Sequence, residues 1–344
     1  MAGSAWFPIF SAWCLLHATT TRARDATTPQ VDVVVVGGGL SGLQAAKTLL
    51  DGGKSVAVLE ARGRVGGRVE NKQLHNGGVT ELGAAFVGPT QDDVLELIEE
   101  LGLETFKEYD EGNTLVLLSG EELESGSESA VPSELDAVSL QQAASFVEQL
   151  DTHASSIDVE NPWSHPNASY WDSFTLATWI LQQNFTSSLQ ALLGTTIPTV
   201  MSAEPGEISF LYTLSYIASA GNQTHPGTFG RLVGTTDGAQ ESRITGGTGL
   251  LPSGLAKQIG EHRIFLNTTV QKITKVSDVY YVQTSNGDYI ARTSLWPCLH
   301  RSPVASITTH HSPLRGTNSL NGCSWVRSER RQQSMTPLSG EKPT

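Results

Sequence analysis

The sequence predicts an α/β fold with a parallel sheet, and three observations near its start carry the prediction. Residues 31–36 are valine apart from Asp32, a β-branched run typical of a strand buried on both faces. A glycine-rich turn and a helical segment, residues 40–50, follow this run. A second short apolar strand, residues 55–59, comes next. Strand, helix and strand in this order form a βαβ unit, which predicts a Rossmann-like domain.

The turn after the first strand carries Gly37, Gly39 and Gly42, in the spacing G-x-G-x-x-G. The first glycine of this motif permits a tight turn, the second lets the backbone approach a pyrophosphate, and the third lets helix and strand pack closely. Ser41 lies in the same first helical turn, whose N–H groups and positive dipole end face the phosphates. Glu60 ends the second strand, where an acid binds the ribose hydroxyls. The unit therefore predicts dinucleotide binding.

The segment after the second strand indicates which dinucleotide is bound. Residues 60–69 read "EARGRVGGRV", which resembles the flavin monoamine oxidase family, where this segment folds back over FAD. The resemblance implies that Ala61, Arg64, Gly67 and Arg68 contact FAD. The arginines would meet negative charge, and Gly66 and Gly67 would allow close approach of the backbone. The alternative, an NAD(P)-linked dehydrogenase, requires no such segment.

Residues 80–109 resemble the next block of that family, in which a turn of small residues passes under the flavin ring. The resemblance assigns this turn to Gly83, Ala84 and Ala85. Residues 92–101 follow as a predicted amphipathic helix, with apolar residues on one face and acids on the other.

The family resemblance also implies the domain organisation. A glutathione-reductase-like (GR2-type) FAD-binding domain comprises residues 31–115 and 241–292, and an inserted α+β substrate domain, partial in this chain, comprises residues 116–240. The insert is mostly helical in pattern, and its acidic, serine-rich stretch at residues 120–134 is predicted as a surface loop.

The resemblance extends to substrate residues within the insert. It implies that Leu232 and Val233 stand between an entrance and a substrate cavity, and that Gln240 faces the substrate. Their spacing alone is equally typical of core residues. Beyond the insert, the resemblance implies that a strand ending at Val270 binds adenine through its backbone. Residues 278–292 then read as a hairpin with Asn-Gly at the turn.

From residue 293 the composition changes to one rich in serine, proline and arginine, without periodicity. One interpretation of residues 293–344 is a disordered basic tail. Another is a frameshift or a wrongly assigned intron near residue 292, because a shifted reading frame with suitable codons continues the family sequence. The predicted fold is therefore incomplete at its C-terminus.

The family resemblance further implies a lysine that binds a water at flavin N5, aromatic residues that flank the amine and, in some members, a cysteine that tethers the flavin. No residue of the printed sequence is assigned to these roles. No catalytic residue is therefore predicted, and full activity is not expected of the chain as printed.

The start of the chain predicts entry into the secretory pathway. Residues 5–18 are an apolar run followed by small residues, which indicates a signal peptide over residues 1–23. A disordered or membrane-anchoring N-terminus is the alternative, although the run is too short for a stable membrane span. Four sequons would accept glycans there, at Asn167, Asn184, Asn222 and Asn267.

Composition limits the remaining functions. The net charge of −13 disfavours a nucleic-acid partner, because phosphate binding requires a basic surface. The three cysteines and nine histidines show no disulfide or metal-ligand spacing, so no metal is predicted. The expected reaction is oxidation of a primary amine to an imine and aldehyde, with O₂ reduced to H₂O₂. A polyamine or L-amino-acid oxidase and a non-catalytic FAD-binding protein remain alternatives, and the oligomeric state stays open.

Overall fold

The computed structural model describes residues 28–295, except 119, 127–130 and 134. The predicted signal peptide, residues 296–344 of the predicted tail and all three cysteines lie outside the described residues. In chain order the strands and helices are β1 (Gln30–Val36), α1 (Leu40–Asp51), β2 (Val56–Leu59), β3 (Asn71–Gln73), β4 (Val79–Glu81), β5 (Phe86–Val87), α2 (Asp92–Glu100), β6 (Thr105–Lys107), β7 (Thr114–Leu118), β8 (Glu121–Ser125), α3 (Ala137–Ala154), α4 (Ala168–Trp171), α5 (Leu176–Gln182), α6 (Ser187–Met201), α7 (Phe210–Ala218), α8 (Phe229–Val233), β9 (Ser242–Ile244), α9 (Leu250–Ile259), β10 (Ile264–Phe265), β11 (Val270–Val276), β12 (Val279–Thr284) and β13 (Gly287–Leu295).

A six-stranded mixed sheet in the order β10-β2-β1-β13-β12-β11 organises the first part of the fold. β1 pairs in parallel with β2 and β13, whereas β12 is antiparallel to both β13 and β11. Val33 and Val35 of β1 pack against α1 and α9, and Val34 packs into a separate cluster with Val282 and Tyr289. β1 is therefore buried on both faces, and the predicted α/β class and βαβ unit are confirmed.

Helices α3 to α8 pack around a second apolar core of their own. Phe146 of α3 lies near its centre, with its ring centroid 5.7 Å from that of Trp179, 6.0 Å from Phe185 and 5.8 Å from Phe229. No helix of the described residues is long and apolar enough to cross a bilayer.

The acidic stretch predicted as a surface loop is partly a strand, because residues 121–125 form β8 and pair with β7. Val116 and Leu123 are cross-strand partners on the side of this hairpin that packs against the helical core. The prediction was wrong here because one partly buried leucine among acids and serines gives no clear alternation, and the strand depends on its partner.

A three-stranded antiparallel sheet in the order β5-β9-β6 packs against α2 and α9, because Val87 and Ile244 cluster with Ile98 and Leu251. β6 precedes the helices in the chain and β9 follows them, yet Phe106 and Arg243 are direct cross-strand partners. The segment between them, residues 108–241, therefore begins and ends at neighbouring strands.

Two predicted boundaries differ from the structure. Val270 begins β11 and does not end a strand, because the preceding strand stops at Phe265 and Asn267 takes a left-handed φ of 53°. β13 continues to Leu295, beyond the predicted change at residue 293, because Thr293–Leu295 pair with Val33–Val35 of β1. Parallel pairing uses backbone groups, so it does not require the valine-rich sequence expected of a central strand.

Candidate functional site

A glycine turn at the carboxyl end of β1 leaves open space beside its backbone. Gly37 has φ +107°, and its N–H donates to the Leu59 carbonyl at 2.8 Å, which ties the turn to β2. A Cβ placed on Gly37 would have no protein atom within 4 Å. The positive φ therefore explains the glycine, and the space beside it can receive part of a ligand.

The second glycine segment crosses this turn at backbone contact distance. Gly66 N–H donates to the Gly38 carbonyl at 2.8 Å, and Gly39 and Gly66 form a parallel bridge. A Cβ on Gly67 would lie 3.3 Å from the Cα of Gly39. We call residues 37–39 and 66–67 the glycine crossing. Its surface is bare backbone, which suits close approach of a pyrophosphate.

Helix α1 begins at this crossing without a side-chain cap. Gly39 is its N-cap, and no side chain accepts a hydrogen bond from the first turn in the described structure. Gly42 is buried in α1, as close packing of helix and strand requires, and Ser41 is partly exposed beside it. The uncapped N–H groups and the helix dipole favour an anion at this end.

Glu60 lies beside the crossing and is only 7% exposed. One carboxylate oxygen accepts from Gly38 N–H at 2.7 Å, and the other accepts from Arg62 N–H at 2.8 Å. An ionised carboxylate has about four acceptor positions, so capacity remains for ribose hydroxyls. Ala61 is exposed directly after it. Thr268 N–H donates to the Glu60 carbonyl at 2.8 Å, which ties in the segment before β11.

The two predicted arginines have different surroundings. Arg64 Nη2 donates to Glu70 Oε2 at 2.5 Å and to the Gly67 carbonyl at 3.1 Å, so its guanidinium holds the loop together. Arg68 is exposed, and its side chain has no polar partner within the described residues. Of the two, only Arg68 is free to meet an external negative charge; the structure pairs Arg64 with a carboxylate of the protein itself.

The small-residue turn, Gly83 to Ala85, is fixed against the same loop. A Cβ on Gly83 would lie 2.0 Å from the Arg68 carbonyl oxygen, so only glycine fits that position. Ala84 N–H donates to the Arg68 carbonyl at 3.3 Å, and the Ala84 carbonyl accepts from Thr248 Oγ1 at 2.5 Å. Thr248, which is buried, was not identified from the sequence.

Two other polar residues near this turn also lie outside the sequence predictions. Asn71 Nδ2 donates to the Gly246 carbonyl at 2.8 Å, and its Oδ1 accepts from Gly249 N–H at 2.8 Å. Arg243 Nη2 donates to Glu81 Oε2 at 2.5 Å. These partners are 162 or more residues apart in the chain, so no local pattern could have indicated them.

The predicted substrate residues lie together in the structure. Leu232 and Val233 belong to α8 and pack, partly buried, against the helical core. Gln240 Nε2 donates to the Val233 carbonyl at 3.4 Å. Their closeness agrees with the predicted grouping, and their roles remain predictions. Val270 packs elsewhere, against the cluster that contains Leu59.

The end of α8 nearest the core is held by a partly buried acid. Asp151 of α3 accepts from Phe229 N–H at 2.6 Å, and burial raises the pKa of Asp151 above its ordinary value. No group of three or more histidine, cysteine, aspartate or glutamate side chains within the described range is placed to hold a metal ion.

The residues at the crossing fit the adenosine diphosphate half of FAD. The space that a Cβ of Gly37 would enter is open, α1 presents N–H groups, and Glu60 has acceptor capacity beside them. All three lie at the carboxyl ends of the parallel strands β1 and β2, where α/β sheets bind ligands.

Comparison with known proteins agrees with this geometry. The family described as "Flavin containing amine oxidoreductase" matches residues 40–294. A flavin-containing amine oxidase of Oncorhynchus mykiss is 34% identical over 255 residues, covering 74% of this chain and 47% of its own. A redesigned triple mutant of putrescine oxidase has a TM-score of 0.70 at 30% identity, covering 78% of this chain and 57% of its own.

A further solved structure, cyclohexylamine oxidase from Brevibacterium oxydans IH-35A, has a TM-score of 0.69 at 31% identity, covering 77% of this chain and 57% of its own. The chain thus spans about half the length of the curated relatives it matches.

Proposed function

The chain belongs to the flavin-containing amine oxidoreductase family, and from this we propose that it oxidises a primary amine. The flavin cofactor predicted from the sequence is confirmed by the same match. The observation that carries the proposal is the glycine crossing beside Glu60, which is shaped for a dinucleotide. When bound, FAD would supply the redox chemistry: the neutral amine gives up two electrons and two protons to become an imine, and O₂ takes up two electrons and two protons to become H₂O₂. Water then converts the imine to an aldehyde and ammonia.

The residues of the chain contribute binding and orientation to this reaction. The N–H groups at the start of α1 and the exposed Arg68 stabilise the negatively charged pyrophosphate. Glu60 accepts hydrogen bonds from the ribose. The turn from Gly83 to Ala85 leaves room for the flavin ring, because its side chains are small and its backbone is fixed by Thr248.

The substrate end favours a monoamine with an apolar substituent. Leu232 and Val233 offer apolar surface next to Gln240, whose amide can hydrogen-bond a neutral amine. A diamine or an L-amino acid carries a second charged group that needs its own partner. Polyamines and L-amino acids are therefore the alternative substrate classes.

The test is purification followed by spectroscopy and a peroxide assay. We expect a yellow protein that absorbs at about 450 nm, as bound flavin does. Peroxide release should be small, because no residue of the printed sequence is assigned to the family's lysine and aromatic roles, and greater with benzylamine or cyclohexylamine than with putrescine or L-leucine. A folded colourless protein would refute the cofactor assignment. A yellow protein that neither releases peroxide nor loses its absorbance under anaerobic amine would favour the non-catalytic flavin-binding alternative.

We also propose a secretory location, supported by the sequons. Asn167, Asn184 and Asn267 are exposed, whereas Asn222 is partly buried and its Nδ2 donates to Asp92 at 3.1 Å. Secreted expression followed by glycosidase treatment should lower the apparent mass. An unchanged mass would argue against this location.

A further inference from the structure

The connection between α8 and β9, residues 234–241, is tied back to α8 by an ion pair. Arg231 Nη1 donates to Asp237 Oδ1 at 3.1 Å, and Nη2 donates to Oδ2 at 2.9 Å. Nη1 also donates to the Asp237 carbonyl at 2.9 Å. A planar guanidinium with three bonds to one residue fixes that residue's side chain and backbone together.

The backbone of this connection is compact around the ion pair. Asp237 takes φ +51°, and a Cβ on Gly238 would lie 2.2 Å from the Gly234 carbonyl oxygen. Ala239 N–H donates to the Arg231 carbonyl at 2.8 Å, and Gln240 N–H donates to the Gly234 carbonyl at 3.2 Å. The position of Gln240 therefore depends on how the preceding residues fold back on α8.

The ion pair is one of two that hold this connection, since Lys107 Nζ also pairs with Glu241. The Arg231 side chain is only 13% exposed, and within the described residues its one ion pair is with Asp237. Arg231 in turn holds the pKa of Asp237 below its ordinary value, so the carboxylate stays ionised. A mostly buried cation with one carboxylate partner cannot change partner without leaving its site.

The ion pair lies next to the residues that are predicted to contact the substrate. Arg231 immediately precedes Leu232 and Val233 in α8, and Gln240 Nε2 donates to the Val233 carbonyl at 3.4 Å. We propose that Arg231 and Asp237 are positioning residues, which hold the Gln240 amide beside Val233 so that it can orient the amine. This inference rests on the proposed function, and neither residue contacts the substrate itself.

A specific kinetic pattern follows from this role. One neutral hydrogen bond corresponds to about a two- to tenfold change in binding. Asp237→Asn should therefore lower kcat/KM for the preferred amine by about that factor, mainly through KM, and Gln240→Ala should do the same. Because Asp237 acts through Gln240, the double variant should be no worse than Gln240→Ala alone.

The matched control is Asp51→Asn, the same change in an exposed ion pair with Lys47 at the far end of α1. It should leave kcat/KM unchanged. Hydrogen exchange gives a second readout, which does not require activity: Asp237→Asn should speed exchange of the amides in residues 234–241, and Asp51→Asn should not.

Two results would overturn the inference. One is unchanged exchange of residues 234–241 in Asp237→Asn; the other is a double variant whose losses multiply, as two independent effects would. If the wild-type chain binds flavin but reacts with no amine, the proposed function fails, and exchange alone then decides whether the ion pair positions this connection.

Discussion

Gly37 and Gly53 share a backbone constraint but have different neighbours. Their φ values are +107° and +74°, and a Cβ on either would meet no protein atom within 4 Å. An alanine at either position costs about 1–2 kcal/mol of stability, because L-residues avoid positive φ. Gly37 lies at the glycine crossing, whereas Gly53 follows the opposite end of α1.

We therefore expect Gly37→Ala to lose most of its bound flavin, because the added methyl enters the space for the pyrophosphate. Gly53→Ala should keep its flavin at a similar loss of stability. The measurements are the flavin-to-protein ratio by absorbance and the free energy of unfolding in urea. Equal flavin content in the two variants would mean that the crossing does not hold the cofactor.

Asp151 predicts a pH dependence of stability. Burial raises its pKa in the folded protein, so the carboxylate is easier to ionise after unfolding. Protonation of Asp151 then favours the folded state. Asp151 does not lower the free energy of unfolding below its unfolded pKa of about 3.9, and it lowers that free energy as pH rises through the folded pKa.

Asp151→Asn keeps an acceptor for Phe229 N–H and removes the ionisation. We expect its melting temperature to exceed that of the wild type at pH 7, with the difference shrinking toward pH 4. Melting curves across this pH range provide the check. A variant less stable than the wild type at pH 7 would show that the charge itself stabilises α8.

Helix α6 shows how one cap supports an element. Thr186 Oγ1 accepts from Leu189 N–H at 3.3 Å and lies 2.6 Å from Ser139 Oγ of α3. Thr186→Ala should cost about 0.5–2 kcal/mol of unfolding free energy in urea. Thr195→Ala is the control, because Thr195 is exposed inside the same helix and alanine is the better helix former. Equal losses in both variants would contradict a capping role.

Elements with strong local signals were predicted closely. The predicted helices at residues 40–50, 92–101 and 251–259 correspond to α1, α2 and α9 within one residue at each end. Their apolar periodicity and flanking glycines are local properties. β5, β6 and β9, with two or three residues each, were not predicted as strands, because such short strands exist only through their distant partners.

In the candidate site, too, residues with local signals could be predicted and residues joined by distant contacts could not. The glycine turn and Glu60 could be predicted because one βαβ unit contains them. Thr248, Asn71 and the Arg243–Glu81 pair could not, since each joins residues brought together only by the complete fold. The ion pair between Arg231 and Asp237 spans six residues, but charge spacing outside a regular helix does not predict contact.

At the scale of the whole molecule, the cofactor region is assembled from chain segments on both sides of the helical core. Thr268 N–H bonds the Glu60 carbonyl, Asn71 bonds the turn before α9, and β13 pairs with β1. The contacts of the crossing itself lie within residues 37–67, and residues after the helices complete the cofactor region around it. Ligand binding at the crossing should stabilise the complete arrangement.

The two halves of FAD should differ in how much they stabilise the protein. At a free ligand concentration about 100 times Kd, binding adds about 2.7 kcal/mol and raises the melting temperature by about 5–10 °C. The groups at the crossing and Glu60 match the adenosine diphosphate, so ADP at saturating concentration should also raise the melting temperature, and FMN, which lacks adenosine, should not. Gly37→Ala should abolish the shift with both FAD and ADP. If FMN stabilises the protein as well as FAD while ADP has no effect, the binding energy arises at the flavin ring and not at the glycine crossing.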